Sequence, residues 1–339
     1  MTMSLPLTGD KSLLNSCLEF LRKFDLLVIA ALFLLLASLI SVDRTIDFMI
    51  FCIFVLAYDL LYGYMGRLSF GHMLYLGVGA YALALSAEHL SGNPFLGLLM
   101  AVGSGAAVGL ILGPIIVRTT GACFALINLA FNQVGFFLAL VAFSKWTGGE
   151  DGMSTYFKKI WIIDFSKKLT VFFFALLCLI LVIFLLRRLT SSLFGILLRG
   201  IKENETRVKF LGYNTFAVKM AAFVVSTSLS AFAGALFILN YSYVTTSFID
   251  PLRSVEVIFA SLIGGAGSVY GALVGGVCYK LISNYLPNYI QRWEMFLGIV
   301  LLLLVFKFRT GVWGYLVALL KRYEKPAAVE SDHPSEISR

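Results

Sequence analysis

RRLTSSLFGILLRGIKENETRVKFLGYNTFAVK, Arg187 to Lys219, is the longest strongly charged interval between hydrophobic segments of this chain. Arg187, Arg188, Arg199, Lys202, Arg207, Lys209 and Lys219 outnumber Glu203 and Glu205. An excess of Lys and Arg between membrane spans marks the cytoplasmic side, because such loops resist translocation. Leu197, Ile201, Val208 and Leu211 fall near helical spacing, while Lys202, Glu203, Glu205 and Lys209 take other faces. Gly212 and Asn214 are suited to end a helix. The interval predicts a short amphipathic helix lying under the membrane, with a charged surface open to a cytosolic partner. A solvated connector held at the interface is the alternative.

The surrounding sequence supplies the membrane. Of 339 residues, 59% are hydrophobic and 14% charged. Soluble domains carry about 25% charged residues, so an ordinary water-exposed surface is excluded. Runs such as Asp25–Val42 and Thr170–Leu186 approach the ~20 apolar residues needed to cross a bilayer. The net charge of +8 gathers in segments expected on one side, so it reports orientation rather than nucleic-acid binding. Cys17, Cys52, Cys123, Cys178 and Cys278 are scattered with no C-x-x-C pair, which indicates neither a disulfide framework nor a metal cluster.

In chain order, residues 1–24 form a polar tail on the cytoplasmic side. Spans follow at about Leu26–Val42, Ile46–Met65, Leu68–His89, Pro94–Val117, Gly121–Ser144 and Thr170–Leu186. The turn SVDRTID joins the first two. This alternation places Arg67, Arg118 and the 187–215 interval on one side and Lys145–Leu169 on the other. Phe216–Asn240 crosses again. Ser254–Leu286 is broken by Gly264, Gly265 and Gly267, and reads as two crossings or a re-entrant pair. Met295–Phe308 is the last apolar run, with Gly311–Leu320 extending it or lying along the surface. The expected fold is all-α: a polytopic bundle over 25–320 with about ten crossings, eight being the alternative. Glycine-broken helices and a cytoplasmic tail over 321–339 complete it.

Gly105, Gly109 and Gly113 recur every four residues, as do Gly267, Gly271 and Gly275; small residues so spaced let helix backbones approach closely. Glycine breaks inside apolar segments carry more. Non-helical backbone at membrane depth survives only where protein or a watery cavity covers it, and paired broken segments point to a pathway. Candidates to line such a pathway are Asp59, Ser69, His72, Asn128, Asn132, Gly264 and Gly265. Asp59 is an intramembrane carboxylate, costly unless it faces protein or water, with Arg67 or His72 as the expected neutralising partner. Interhelical hydrogen bonding is the default for Asn128 and Asn132. The chain has no G-x-x-x-x-G-K-[ST] phosphate loop, no H-E-x-x-H and no G-x-S-x-G.

Five stretches together resemble one family. GRLSFGHMLYLGVGAYALA (Gly66–Ala84) is similar to the Gly-x-Leu-Ser-x-Gly-His…Gly-Ala-Tyr signature of permease subunits of branched-chain amino-acid ABC importers, the LivM branch. RTTGACFALINLAF (Arg118–Phe131), TGGEDGM (Thr147–Met153), the segment from Ser192 through the following span, and SLIGGAGSVYGALVGG (Ser261–Gly276) resemble further motifs of that family in order. The resemblance implies a pore-forming subunit without catalysis of its own in a bacterial inner membrane, both termini cytoplasmic. It binds no cofactor, and ATP is used by partner subunits. Those partners are a second homologous permease, two cytosolic ATP-binding subunits and a periplasmic solute-binding protein; nucleic acid is not among them. Gly195, Arg199, Lys202, Glu203, Asn204, Glu205, Arg207, Leu211 and Gly212 would form the coupling element that rests on an ATPase. Where the family usually has Asn and a neutral residue, this chain has Asp59 and Arg67, which fits a compensated ion pair or a different cargo. Urea, short amides and small acids are alternative cargoes within the family. A stand-alone transporter using Asp59 and His72 as an ion relay is the alternative of another class. An embedded enzyme built on Asp59, His72 and Asn132 lacks a nucleophile–base pair or metal set spaced for it.

Overall fold

The computed structural model describes residues 25–90, 92–158, 164–290 and 311–324, with isolated positions between 292 and 299. The tails at 1–24 and 325–339 lie outside the described residues, as does most of the expected run Met295–Phe308. Eleven helices organise the rest: α1 (Asp25–Leu39), α2 (Val42–Tyr64), α3 (His72–His89), α4 (Pro94–Ile116), α5 (Ala122–Ala142), α6 (Lys168–Ser191), α7 (Leu193–Phe210), α8 (Thr215–Tyr241), α9 (Ser254–Gly264), α10 (Val269–Tyr285) and α11 (Gly311–Glu324). Five of them, α2, α4, α5, α6 and α8, are long and apolar enough to cross a membrane. The protein is an all-α polytopic membrane protein. Among the described residues the departure is a pair of two-residue strands, β1 (Met153–Ser154) and β2 (Tyr243–Val244), antiparallel with Met153 opposite Val244.

At the centre is α2, buried at every residue from Thr45 to Asp59. It starts earlier than its apolar pattern implies. Ser41 accepts from the Arg44 amide at 3.4 Å and caps the helix, so the expected turn SVDRTID forms its first turns. Around α2 pack α6, α8 and α10, with α3 and α4 stacked on α8. Asn93 caps α4 by accepting from the Phe95 amide at 3.0 Å, and Pro94 fills the first helical position. Outward-facing Leu99, Ile111, Leu126 and Phe184 remain exposed, as lipid contact requires. The third segment begins at His72 rather than Leu68, because Gly66–Gly71 runs as non-helical backbone packed against α5.

The glycine ridge on α4 meets α8: a Cβ at Gly105 or Gly109 would press on Thr227, and one at Gly113 on Met220. The crossing of α3 and α8 is tighter. A Cβ at Gly79 would fall on the Ala231 carbonyl, and one at Gly234 on the Leu76 carbonyl, so each backbone takes the space a side chain would need.

The broken stretch after β2 is a hairpin. At 11 residues α9 rises about 16 Å, too little to cross a bilayer, and α10 runs back along it. Close backbone contact of Gly264 with Gly271, and of Gly275 with Ala260, fixes the antiparallel arrangement. Both hairpin ends lie with the start of α2, since Arg253, Glu256 and Asn284 share a cavity with Asp47. The segment thus folds as an antiparallel helical hairpin whose two ends lie at one end of the bundle. Gly311–Glu324 is a separate helix against this hairpin, with Trp313 5.5 Å from Tyr270 between ring centroids.

A valine at Gly234 should lower the thermal midpoint of the detergent-purified protein, on the order of 1–3 kcal/mol of overpacking strain. A valine at Gly103, which meets nothing within 4 Å, should leave it unchanged. Equal midpoints for the two variants would contradict the α3–α8 crossing.

Candidate functional site

The fold gathers five basic residues at one end of the bundle. Arg67, Arg118, Lys202, Lys209 and Lys219 line one cavity of about 720 Å³ together with Glu203 and Glu205. Within it α7 is two pieces. Asn204 leaves the helical region at φ −158°, ψ 97°, and its side chain accepts from the Arg207 amide at 3.0 Å, restarting the helix. This kink breaks the single stripe expected of the segment. Gly195, Leu198, Ile201 and Val208 are buried, Leu197 is half-buried, and Leu211 is exposed. Asn214 begins the next helix rather than ending this one, accepting from the Ala217 amide at 3.1 Å.

Glu205 anchors the segment to the bundle. It pairs with Arg67 at 3.0 Å, with Lys209 at 3.2 Å and with the buried Lys219 at 2.9 Å, and it accepts from the Thr215 hydroxyl at 3.2 Å. Burial alone would raise the Glu205 carboxyl, but hydrogen bonds and charge from Lys219 and Lys209 outweigh it and bring it down to about 2. Lys202 is a second tether, its Nζ donating to the Gly63 carbonyl at 2.7 Å. Arg199 donates to the Thr190 carbonyl at 3.2 Å, and Gly195 admits that same carbonyl where a Cβ would stand. Glu203, Thr206, Arg207, Phe210, Leu211 and Gly212 are exposed.

Gly63 belongs to a wide π-turn, Leu60–Tyr64, that closes α2. One turn earlier, Asp59 is buried and holds the hairpin tip. Its Oδ1 accepts from the Ser261 hydroxyl at 3.0 Å, and the Gly267 amide donates to both carboxylate oxygens at 3.1 Å. Gly265 and Gly267, at φ 104° and 92°, let the tip turn so that this amide points at the carboxylate. Asp59 therefore pairs with neither Arg67 nor His72, the partners expected for it. Arg67 belongs to Glu205.

His72 is enclosed. Its Nδ1 lies 2.9 Å from the Ser69 hydroxyl and its Nε2 3.0 Å from that of Ser226. Ser226 already donates to the Ala57 carbonyl at 2.6 Å, so it accepts from Nε2–H, and Ser69 then donates to Nδ1. Both ring nitrogens are engaged in fixed roles. Asn128 accepts from Tyr75 at 3.2 Å and donates to the Phe124 carbonyl at 2.9 Å. Asn132, fully buried on the same helix, has no partner for either amide atom among the described residues. Gly264 and Gly265 sit at the hairpin tip. The pathway candidates thus divide into a tip group and a hydrogen-bonded core, and none lines the cavities at the opposite end.

Sequence reading missed two groups. Lys219 was counted as surface charge but is 4% exposed. Asp47 and Lys280, charged residues inside apolar stretches, pair at 2.9 Å at the end remote from α7. The signal for both was an ionisable side chain at membrane depth.

The class of protein the fold defines is a polytopic helical membrane protein with a charged, kinked helix tethered to one end of the bundle. The sequence profile described as "Branched-chain amino acid transport system / permease component" matches residues 40–306, more than half the chain, and the chain belongs to that family. It is similar to the high-affinity branched-chain amino acid transport system permease protein LivM of Salmonella typhimurium, 26% identical over 309 residues, covering 83% of this chain and 72% of the relative. LivH of the same organism is 25% identical over 284 residues, 78% of this chain and 91% of the relative. The probable branched-chain amino acid transport permease protein LivH of Methanocaldococcus jannaschii is 28% identical over 233 residues, 65% and 73% of the two chains. No solved structure shows significant similarity to the chain.

Glu205→Gln should loosen α7, on the order of 3 kcal/mol, because it leaves Lys219 buried without its carboxylate. Glu203→Gln, at an exposed position, should change stability by less than about 0.5 kcal/mol. Hydrogen exchange across 193–210 reads both. Because the folded Glu205 carboxyl titrates below its ordinary 4.5, its contribution is complete above that value and lost as pH falls toward about 2. Protection of α7 that is flat from neutral pH down to about 5 is the expected profile.

Proposed function

We propose that the chain is the pore-forming permease subunit, of the LivM branch, in an ATP-driven importer of branched-chain amino acids or similar small polar solutes. It lies in the inner membrane of a bacterium with both termini and α7 cytoplasmic. A second related permease, two ATP-binding subunits and a periplasmic solute-binding protein complete the assembly, and the chain itself carries out no catalysis. The observation that carries this reading is the split character of α7. One face is tied to the bundle through Lys202 and Glu205, while Phe210 and Leu211 stand 87% and 70% exposed beside Glu203 and Arg207. Apolar side chains on a charged, lipid-remote end suit a protein partner. The basic excess at this end supports its cytoplasmic placement.

In mechanism, closure of the ATPase pair would push on the exposed face of α7. Glu205 and Lys202 would pass that displacement to α2 and α8 as a rigid-body shift, and the bundle would open alternately to its two sides. The relatives' names supply the cargo class, and the tether together with the exposed tip supplies the coupling logic.

The test is reconstitution of the complete importer in proteoliposomes. Phe210→Asp or Glu203→Lys should leave insertion intact but reduce ATP-driven uptake at least about tenfold, as loss of a central interface contact does. Uptake by the chain alone in liposomes without nucleotide would overturn the reading.

A further inference from the structure

The end of the bundle remote from α7 holds a cavity of about 620 Å³ between α2, α3, α8 and the hairpin. By helical rise it begins about 24 Å from Gly63, where α7 is tethered. Its size lies in the range of small-ligand pockets. Its lining has two characters. Phe51, Phe54, Phe237 and Phe248, with Met73 and Leu76, form an apolar wall. Two ion pairs stand against it: Lys280 with Asp47 at 2.9 Å, and Arg253 with Glu256 at 3.2 Å. The first pair is largely withdrawn from solvent, its side chains 14% and 11% exposed. Lys280 is further held over the Phe51 ring, 4.6 Å from the centroid, and near Phe237 at 5.8 Å.

We infer that this cavity binds the transported solute as a zwitterion, reading both the carboxylate and the ammonium of an α-amino acid with a bulky apolar side chain. The inference rests on the importer reading above and assigns that cargo a site in this subunit. Two cations and two carboxylates sum to zero, so a neutral zwitterion leaves no charge uncompensated. A lone amine or a lone acid does leave one, in a place where burial makes it costly. The carboxylate meets Lys280 and Arg253, the ammonium meets Asp47 and Glu256, and the side chain lies on the phenyl wall. Discrimination is therefore against analogues missing either charged group, since the matching protein charge loses its added partner. Among chains of one charge type the apolar wall is permissive, because a methylene more or less changes little.

Saturation-transfer NMR on the assembled wild-type transporter, with the binding protein omitted, is the direct test. L-Leucine should give a signal that isopentylamine and 4-methylpentanoate do not reproduce; equal signals from all three would overturn the site. In proteoliposomes, Lys280→Gln and Asp47→Asn should each cut leucine uptake at least tenfold while ATP hydrolysis persists. The exchanged pair, Asp47→Lys with Lys280→Asp, separates a site from a structural ion pair. It keeps the attraction but reverses the charges, so uptake should stay low, and restored uptake would overturn the site. Should the Lys280 variants fail to assemble, the wild-type NMR comparison decides alone. Wild-type transport that persists in Lys280→Gln defeats only this site, whereas a complete wild-type complex that moves no amino acid under ATP defeats the importer reading and the site together.

Discussion

The carboxylate of Asp59 is the joint on which the molecule turns. A buried carboxyl group is stable only with hydrogen-bond partners in place, and the donors come from a segment more than two hundred residues away in sequence: the Ser261 hydroxyl and the Gly267 amide. The bond binds the hairpin tip to α2. One turn further on, the π-turn of α2 offers the Gly63 carbonyl to Lys202. The chain of contacts from α7 through Lys202, Gly63, Asp59 and Gly267 to the hairpin is continuous. At its other end the hairpin supplies Lys280 to Asp47, back on α2. The kinked helix α7 and the remote cavity are thus joined through one helix and one hairpin.

Rigidity along that route comes from close packing rather than from charge. The α9–α10 hairpin and the α3–α8 crossing are held where glycines let one backbone rest on another, and dispersion across such surfaces is the main cohesive force once water is gone. Charges act at the ends. Glu205 gathers three cations where α7 meets the bundle, and the two ion pairs of the remote cavity stand where α2, α8 and the hairpin meet. The middle of the bundle is closed by neutral hydrogen bonds, of which the Ser69–His72–Ser226 chain is the fullest.

The division of α7 has a similar logic. Asn204 interrupts the helix and caps its continuation, so the two halves are free to present different faces. Residues before the break seat Leu198 and Ile201 in the bundle, and those after it bring Glu205 to Arg67 and Lys219 while turning Phe210 and Leu211 outward. A straight amphipathic helix would have buried or exposed its apolar residues together.

Hydrophobic composition, segment length and the clustering of Lys and Arg by themselves determined an all-α membrane bundle and the gathering of Arg67, Arg118 and α7 at one end, while five motifs in order carry the resemblance to its family. Those properties are local or additive: a bilayer requires apolar length, and helices alternate direction. Residue pairing was not legible. Asp59 looked closest to Arg67 and His72, but a carboxylate takes whichever donors the fold brings within about 3 Å, and Gly267 became one only when its glycine-rich turn folded back. Likewise nothing in the sequence links Asp47 with Lys280, more than two hundred residues apart. Only the return of α10 beside α2 set them together, because the partner of a charge in a low-dielectric interior is chosen by geometry across the whole chain and not by its neighbours in sequence.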